Sequence, residues 1–253
     1  MIARYCCISG VVGSDMVARN NPGREAIMRF ESPLWQPFGS PLEKKALPAA
    51  IYSGMPGRPT AKREIEIKLR VINLEKLVSD LRKMRVQSLG RVLERNALYD
   101  TAGSKILKRG CLLRLRMGTP AASLFARGGP RSAVVTWKTP AGNAARSRYK
   151  QKFEREALVE SAVRWPQILP KLGLRPTFRY EKYRTMYRAG ALHLDLDETP
   201  VGVFLELEGQ PRAIDCMARR LGFTPRDYLR DTYWDLYAAE CRRRGRIPRN
   251  MVF

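Results

Sequence analysis

Residues 64–69 read Glu-Ile-Glu-Ile-Lys-Leu, a strict alternation of polar and apolar positions. That period of 2 predicts a strand with two unlike faces. Past Asn73 the period changes. Leu74, Leu77, Val78, Leu81 and Met84 fall at helical spacing, with Asn73 as N-cap, Lys76 at N3 and Gly90 as the expected stop. Alternation returns over 91–100, 112–117, 133–138 and 149–158. A second helix is expected over 161–172, interrupted by Pro166 and ended by Gly173. Three more strands follow at 178–187, 191–196 and 203–208. A third helix is expected over 212–221, closed by Gly222, and a fourth from about 225–227 to 243. The pattern thus predicts eight strands and four helices.

Residues 1–60 share neither period. Pro22, Pro33, Pro37, Pro41, Pro48, Pro56 and Pro59 punctuate them, and they read as a disordered N-terminal extension with Met55 as an alternative start. The folded domain is expected over 61–241. A tail over 242–253 with five arginines and no acid is expected to be solvated.

Charge narrows the partners. The chain carries a net +23, of which +3 lies in residues 1–60 and +20 in the rest. Such an excess calls for an anionic partner. No apolar run is long enough to span a membrane, and no signal peptide is read, so a cytoplasmic protein is expected. Five cysteines without metal spacing argue against a disulfide framework and structural zinc. One histidine, His193, excludes chemistry that needs a His pair.

The period of 2 then sorts the charges by face. Glu64, Glu66 and Lys68 share one face, and so do Arg114 and Arg116 on a later strand. Lys138 lies beside Thr136; Lys150, Lys152, Glu154 and Glu156 share a face, as do Lys182 and Arg184. His193, Asp195 and Asp197 form another set, and Glu206 and Glu208 the last. A single strand of this kind simply meets water. Seven strands with acids and bases segregated by strand suggest more. Eight strands suffice to close a barrel. With the apolar faces outward under the helices, the charges would line a tunnel. Carboxylates without His or Cys suit Mg²⁺ or Mn²⁺, and clustered Arg and Lys suit phosphate oxygens. A triphosphate with its metal would satisfy both sets.

Glu64-Ile65-Glu66-Ile67-Lys68 resembles the ExExK signature of CYTH-domain proteins, the triphosphate tunnel metalloenzymes. Later segments keep the family's order. Leu113-Arg114-Leu115-Arg116, Thr136-Trp137-Lys138, Lys152-Phe153-Glu154-Arg155-Glu156 and Lys182-Tyr183-Arg184 are similar to its successive charged strands. Leu196-Asp197-Glu198 and Gly202-Val203-Phe204-Leu205-Glu206-Leu207-Glu208 are similar to its closing element. The likeness is greatest to the class IV adenylate cyclase branch.

The resemblance implies an α+β fold built on an eight-stranded antiparallel tunnel. It implies that Glu64, Glu66, Glu206 and Glu208 hold Mg²⁺ or Mn²⁺. Lys68, Arg114, Arg116, Lys138, Lys152, Lys182 and Arg184 would cradle phosphates, and Glu154 and Glu156 would orient the lysines. Lys68, Glu66 and Asp197 would serve catalysis, with Asp197 positioning metal or nucleophile. Asn96 stands where many members carry an acid, which lowers the expectation for that strand in metal binding.

The expected substrate is ATP, inorganic triphosphate or thiamine triphosphate, bound by a monomer or homodimer. Attack by the ribose 3′-oxygen would give cyclic AMP and pyrophosphate; attack by water would give phosphate. A non-catalytic binder of polyphosphate or nucleic acid is the rival class. Eight acids on the charged faces would repel RNA, so nucleic acid is disfavoured. His193 has a lesser reading at the tunnel mouth and a plainer one as a structural imidazole. For Tyr228, Tyr233, Trp234 and Tyr237 core packing is preferred over capping the tunnel and stacking a base.

Overall fold

A computed structural model describes residues 61–120, 132–142, 147–159 and 162–253. The expected extension over 1–60 lies outside the described residues. Among the described residues eight strands are present: β1 (Lys62–Val71), β2 (Gln87–Asp100), β3 (Leu112–Pro120), β4 (Ser132–Pro140), β5 (Lys150–Val159), β6 (Arg175–Ala189), β7 (Leu192–Thr199) and β8 (Gly202–Glu208). They close into an antiparallel barrel in the order β1-β5-β4-β3-β2-β6-β7-β8. The helices are α1 (Leu74–Lys83), α2 (Lys105–Lys108), α3 (Trp165–Lys171), α4 (Pro211–Arg220) and α5 (Tyr233–Arg243). None of the described helices is long and apolar enough to cross a membrane.

The alternating strands put their apolar face outward, where helices cover it. Leu77 and Leu81 of α1 and Ile214, Met217 and Ala218 of α4 pack on Ile67, Leu69, Leu194, Leu196, Leu205 and Leu207. Leu169 of α3 covers Ala97, Tyr99, Leu115 and Met117. Each buried leucine contributes roughly 1.5–3 kcal/mol, so apolar-out is the favoured sense of the barrel.

The helix ends differ from the sequence pattern in two places. All five described helices close with a backbone N–H reaching back five residues: Val86 to Leu81, Cys111 to Ile106, Leu174 to Leu169, Phe223 to Ala218 and Arg246 to Cys241. The residue before each of those donors has positive φ. Four are glycines: Gly110, Gly173, Gly222 and Gly245. The fifth is Arg85, at φ 53°. Hence α1 ends well before the expected Gly90, which lies inside β2 beside a register shift.

The expected fourth helix is also broken. Thr224 with Asp227 and Thr232 with Asp235 each form a capping box, so a 3-10 turn (Pro225–Asp227) is separated from α5. Between them Leu229 exchanges backbone hydrogen bonds with Lys68.

The barrel interior is not uniformly charged. Phe178, Tyr180 and Phe204 share the inward parity of Lys182 and Glu206. With Tyr233 of α5 and Met251 they form an apolar plug at one end. Phe204 therefore lies on the tunnel side. The tail is likewise tied down. Met251 is 1% exposed, and its backbone N–H and C=O bond Arg179 and Glu181 along a stretch of β6 that β7 does not pair.

Candidate functional site: a charged tunnel

The strand parity that buries leucines outside brings the charges together inside. The tunnel is a cavity of about 1260 Å³ lined by every sequence-predicted site residue except Asp197. That is room for a nucleotide-sized ligand.

On one wall, β1 and β8 set acids against each other. Glu66 lies opposite Glu208, and Lys68 opposite Glu206. Each acid is held by a cation: Glu64 by Lys138 at 2.6 Å, Glu66 by Lys150 at 2.5 Å, Glu208 by Lys62 at 2.7 Å, and Glu206 by Arg184 and Lys68. Burial and Glu66 push the Glu64 carboxyl up to about 7 despite Lys138. Burial also opposes ionisation of Glu66, yet Lys150 draws it down to about 2. Among the described residues no three acids converge as ready metal ligands. The donor set nonetheless fits a hard cation. It is all oxygen, and Glu64, crowded by Glu66, resists ionisation.

The opposite wall is basic and loosely neutralised. Arg114 reaches Glu154 and Glu156 at 3.7 and 3.6 Å; Arg116 reaches Glu94 at 3.5 Å and Glu156 at 3.9 Å. The Nε of each arginine is buried without an acceptor; the Nδ2 of Asn96, the cross-strand neighbour of Arg116, likewise lacks an acceptor and its Oδ1 lacks a donor. Orphaned buried donors are costly, and phosphate oxygens would satisfy them. Lys152 donates to the Gly110 carbonyl at 3.0 Å, and burial together with Lys150 lowers its pKa. Glu154 bonds Lys138 at 3.1 Å but serves the arginines as well, and Glu156 accepts from Thr136. These two acids thus orient more than lysines.

Asp197 lies beneath the cavity, 0% exposed. Its Oδ1 accepts from Arg184; its Oδ2 accepts from Lys182 at 2.8 Å, Arg184 at 2.6 Å and the Tyr233 hydroxyl at 2.6 Å. The Thr232 capping box fixes where α5 starts, and so inserts Tyr233 here. The Lys68 and Lys182 ammonium groups lie 4.1 and 4.9 Å from the Tyr233 ring centre. Asp197 thereby sets the two cations of β6 in place.

The CYTH-domain model matches residues 62–221. The chain belongs to the CYTH family. Among solved structures, one from Vibrio parahaemolyticus, named "putative adenylate cyclase", has the same fold. It is 17% identical with a TM-score of 0.59, covering 70% of this chain and 98% of that one. The PH1819 protein of Pyrococcus horikoshii is 19% identical with a TM-score of 0.57, covering 70% and 99%. PH1012 from the same organism is 20% identical with a TM-score of 0.53, covering 67% and 96%. No curated protein matches the sequence.

The CYTH tunnel also holds residues that the sequence reading left outside the site. Glu94 is buried between Arg116 and Lys182, at 3.5 Å from each. It shares parity with Asn96, so the rule applied to the other strands would have found it. Lys150 is the partner of Glu66. Asp195 bonds Arg184, while burial, Asp197 and Glu206 raise its pKa to about 7.

Asp195 and Glu64 make a pH prediction for the CYTH barrel. Their folded pKa values near 7 exceed the ordinary 3.8 and 4.5. Between about pH 4 and 7 the folded state keeps protons that the unfolded chain releases, so stability falls as pH rises. Glu66 changes only below pH 4.5, outside that window. His193, lowered by burial, works the other way. With metal chelated, the urea midpoint should drop between pH 5 and 8, and Asp195→Asn should flatten the slope. A midpoint rising over that range, or a slope unchanged in the variant, would contradict this.

Proposed function

We propose that this CYTH protein is a divalent-metal-dependent enzyme acting on a nucleoside triphosphate. The first reading is conversion of ATP to cyclic AMP and pyrophosphate. The observation that carries it is the pairing, across one cavity, of crowded carboxylates with buried arginine donors that lack acceptors. Arg114, Arg116, Lys138, Lys152, Lys182 and Arg184 would grip the phosphate chain, the arginines in bidentate fashion. Glu64, Glu66, Glu206 and Glu208 would hold Mg²⁺ or Mn²⁺, and Lys68 and Glu66 would face the reacting phosphate. A bound divalent ion would offset charge developing on the phosphate oxygens. Asp197 would keep Lys182 and Arg184 aimed at the chain.

A nucleoside is favoured over a bare triphosphate by the apolar end of the cavity. There Phe178 and Trp234 meet edge to face, 5.0 Å between ring centres, with Leu98 and the exposed Leu107 also lining the space. Hydrolysis is the second reading. Asp195, with a pKa near 7 and outside the proposed metal set, is suited to take a proton from water.

The test supplies Mg²⁺ or Mn²⁺ with ATP, inorganic triphosphate and thiamine triphosphate separately, and resolves the products by chromatography. Cyclic AMP plus pyrophosphate is the expected result. Phosphate without cyclic AMP would replace cyclisation with hydrolysis. Metal-dependent binding without turnover of any substrate would sink the enzymatic reading and leave a polyphosphate binder.

A further inference from the structure

Outside the barrel lies a second cavity, of about 560 Å³. The end of α1, the β6–β7 hairpin and α4 enclose it. Met84, Val86, Leu192 and Met217 make an apolar floor, and Arg85, Arg188 and Arg220 make its charged rim. No acid lines it. None of the three arginines has an ion-pair partner among the described residues. Arg188 alternates with Tyr187 and Ala189 of the outer core, so it reaches this rim from the tunnel side of β6.

Arg85 adds an independent sign. It occupies the left-handed position that the other four helix ends give to glycine. An arginine there is strained relative to glycine. The strain places a guanidinium on this rim. Strain held against an available remedy points to a use.

We propose that this groove binds a small phosphate-bearing molecule with an apolar body, of nucleoside monophosphate size. Guanidinium groups match phosphate oxygens in bidentate geometry. The floor suits a base or other flat apolar group, and the volume lies in the range of small-molecule sites. Arg188 also lines the tunnel, so an occupant of the groove draws on a residue that the tunnel shares. The inference does not rest on the reaction assigned to the tunnel.

The test uses the full chain with its tunnel saturated by inorganic triphosphate and Mg²⁺. AMP carrying an N-methylanthraniloyl fluorophore is titrated and followed by anisotropy at physiological salt. Saturable binding is expected. Arg85→Gly should weaken it about tenfold or more, the loss of one charge-assisted contact. The same substitution should raise Tm by about 2–4 °C as strain is relieved, which separates lost binding from lost fold. Arg220→Ala should weaken binding similarly. Arg226→Ala, in the exposed 3-10 turn, should not. Absence of saturable binding, or affinity unchanged in both Arg85→Gly and Arg220→Ala, would overturn the site; the latter would place the probe in the tunnel. Equal weakening in Arg226→Ala would reduce it to general attraction by a basic surface. Displacement by polyglutamate at least as effective as by inorganic phosphate would overturn the ligand class in favour of an acidic peptide.

Discussion

Asp197→Ala is expected to cost about 3–5 kcal/mol, the range for breaking a buried ion pair by removing one partner. The aspartate is fully enclosed and accepts from Lys182, Arg184 and Tyr233. Without it two cations remain beneath the cavity. Arg184 keeps Asp195 and Glu206, and Lys182 keeps only Glu94 at 3.5 Å. Domains are stable by only about 5–15 kcal/mol, so the variant should be close to unfolding at physiological temperature. Tyr233→Phe is the calibrating partner. It removes one hydrogen bond to a charged group, worth about 1.5–3 kcal/mol, and leaves both cations neutralised. Urea denaturation of the two variants should rank Asp197→Ala well above Tyr233→Phe. Equal costs would mean that Asp197 serves chiefly to anchor α5.

The second large effect concerns turnover. Glu66→Gln should lower the metal-dependent rate on the preferred triphosphate by about 100-fold or more. A ligated divalent ion contributes several kcal/mol of charge stabilisation in the transition state, and each 1.36 kcal/mol is tenfold. The side chain keeps its size, and its partner Lys150 is partly exposed, so the barrel should persist. A higher Mg²⁺ concentration should be needed for half-maximal rate. Turnover and Mg²⁺ dependence like those of the unaltered protein would remove Glu66 from the metal set.

The barrel was legible because its strands obey one rule. Wherever a strand alternates cleanly, as in Glu64–Leu69 or Leu205–Glu208, its inner and outer faces follow from parity alone. The helix limits were less legible because the decisive signals are local. Gly90 looked like a stop, whereas Arg85, which carries no glycine signature, is where α1 turns. The two capping boxes at Thr224–Asp227 and Thr232–Asp235 are visible in the sequence. The helical spacing of Tyr233 and Tyr237 concealed the break before α5. Glu94 was hidden for another reason. It shares its face with Asn96, whose lack of charge breaks the pairing of like charges seen on the other strands. Tyr233 shows the limit of residue type as a guide. It packs in a core, as an aromatic on a helix should, but that core is the inside end of the tunnel.

The closure of the barrel bears on how the chain comes to be folded. Lys62 and Glu208, which bond across the seam between the first strand and the last, stand 146 positions apart. At a synthesis rate of about 5–20 residues per second, β1 waits several seconds or longer before β8 exists. Throughout that interval it offers an open edge, the usual invitation to wrong pairing. The alternation of Glu64, Glu66 and Lys68 with isoleucine means that any premature partner must accept a row of charges. The same residues that give the finished tunnel its chemistry therefore act as the guard of the nascent strand. Aggregation during expression should respond to their neutralisation before any catalytic assay does.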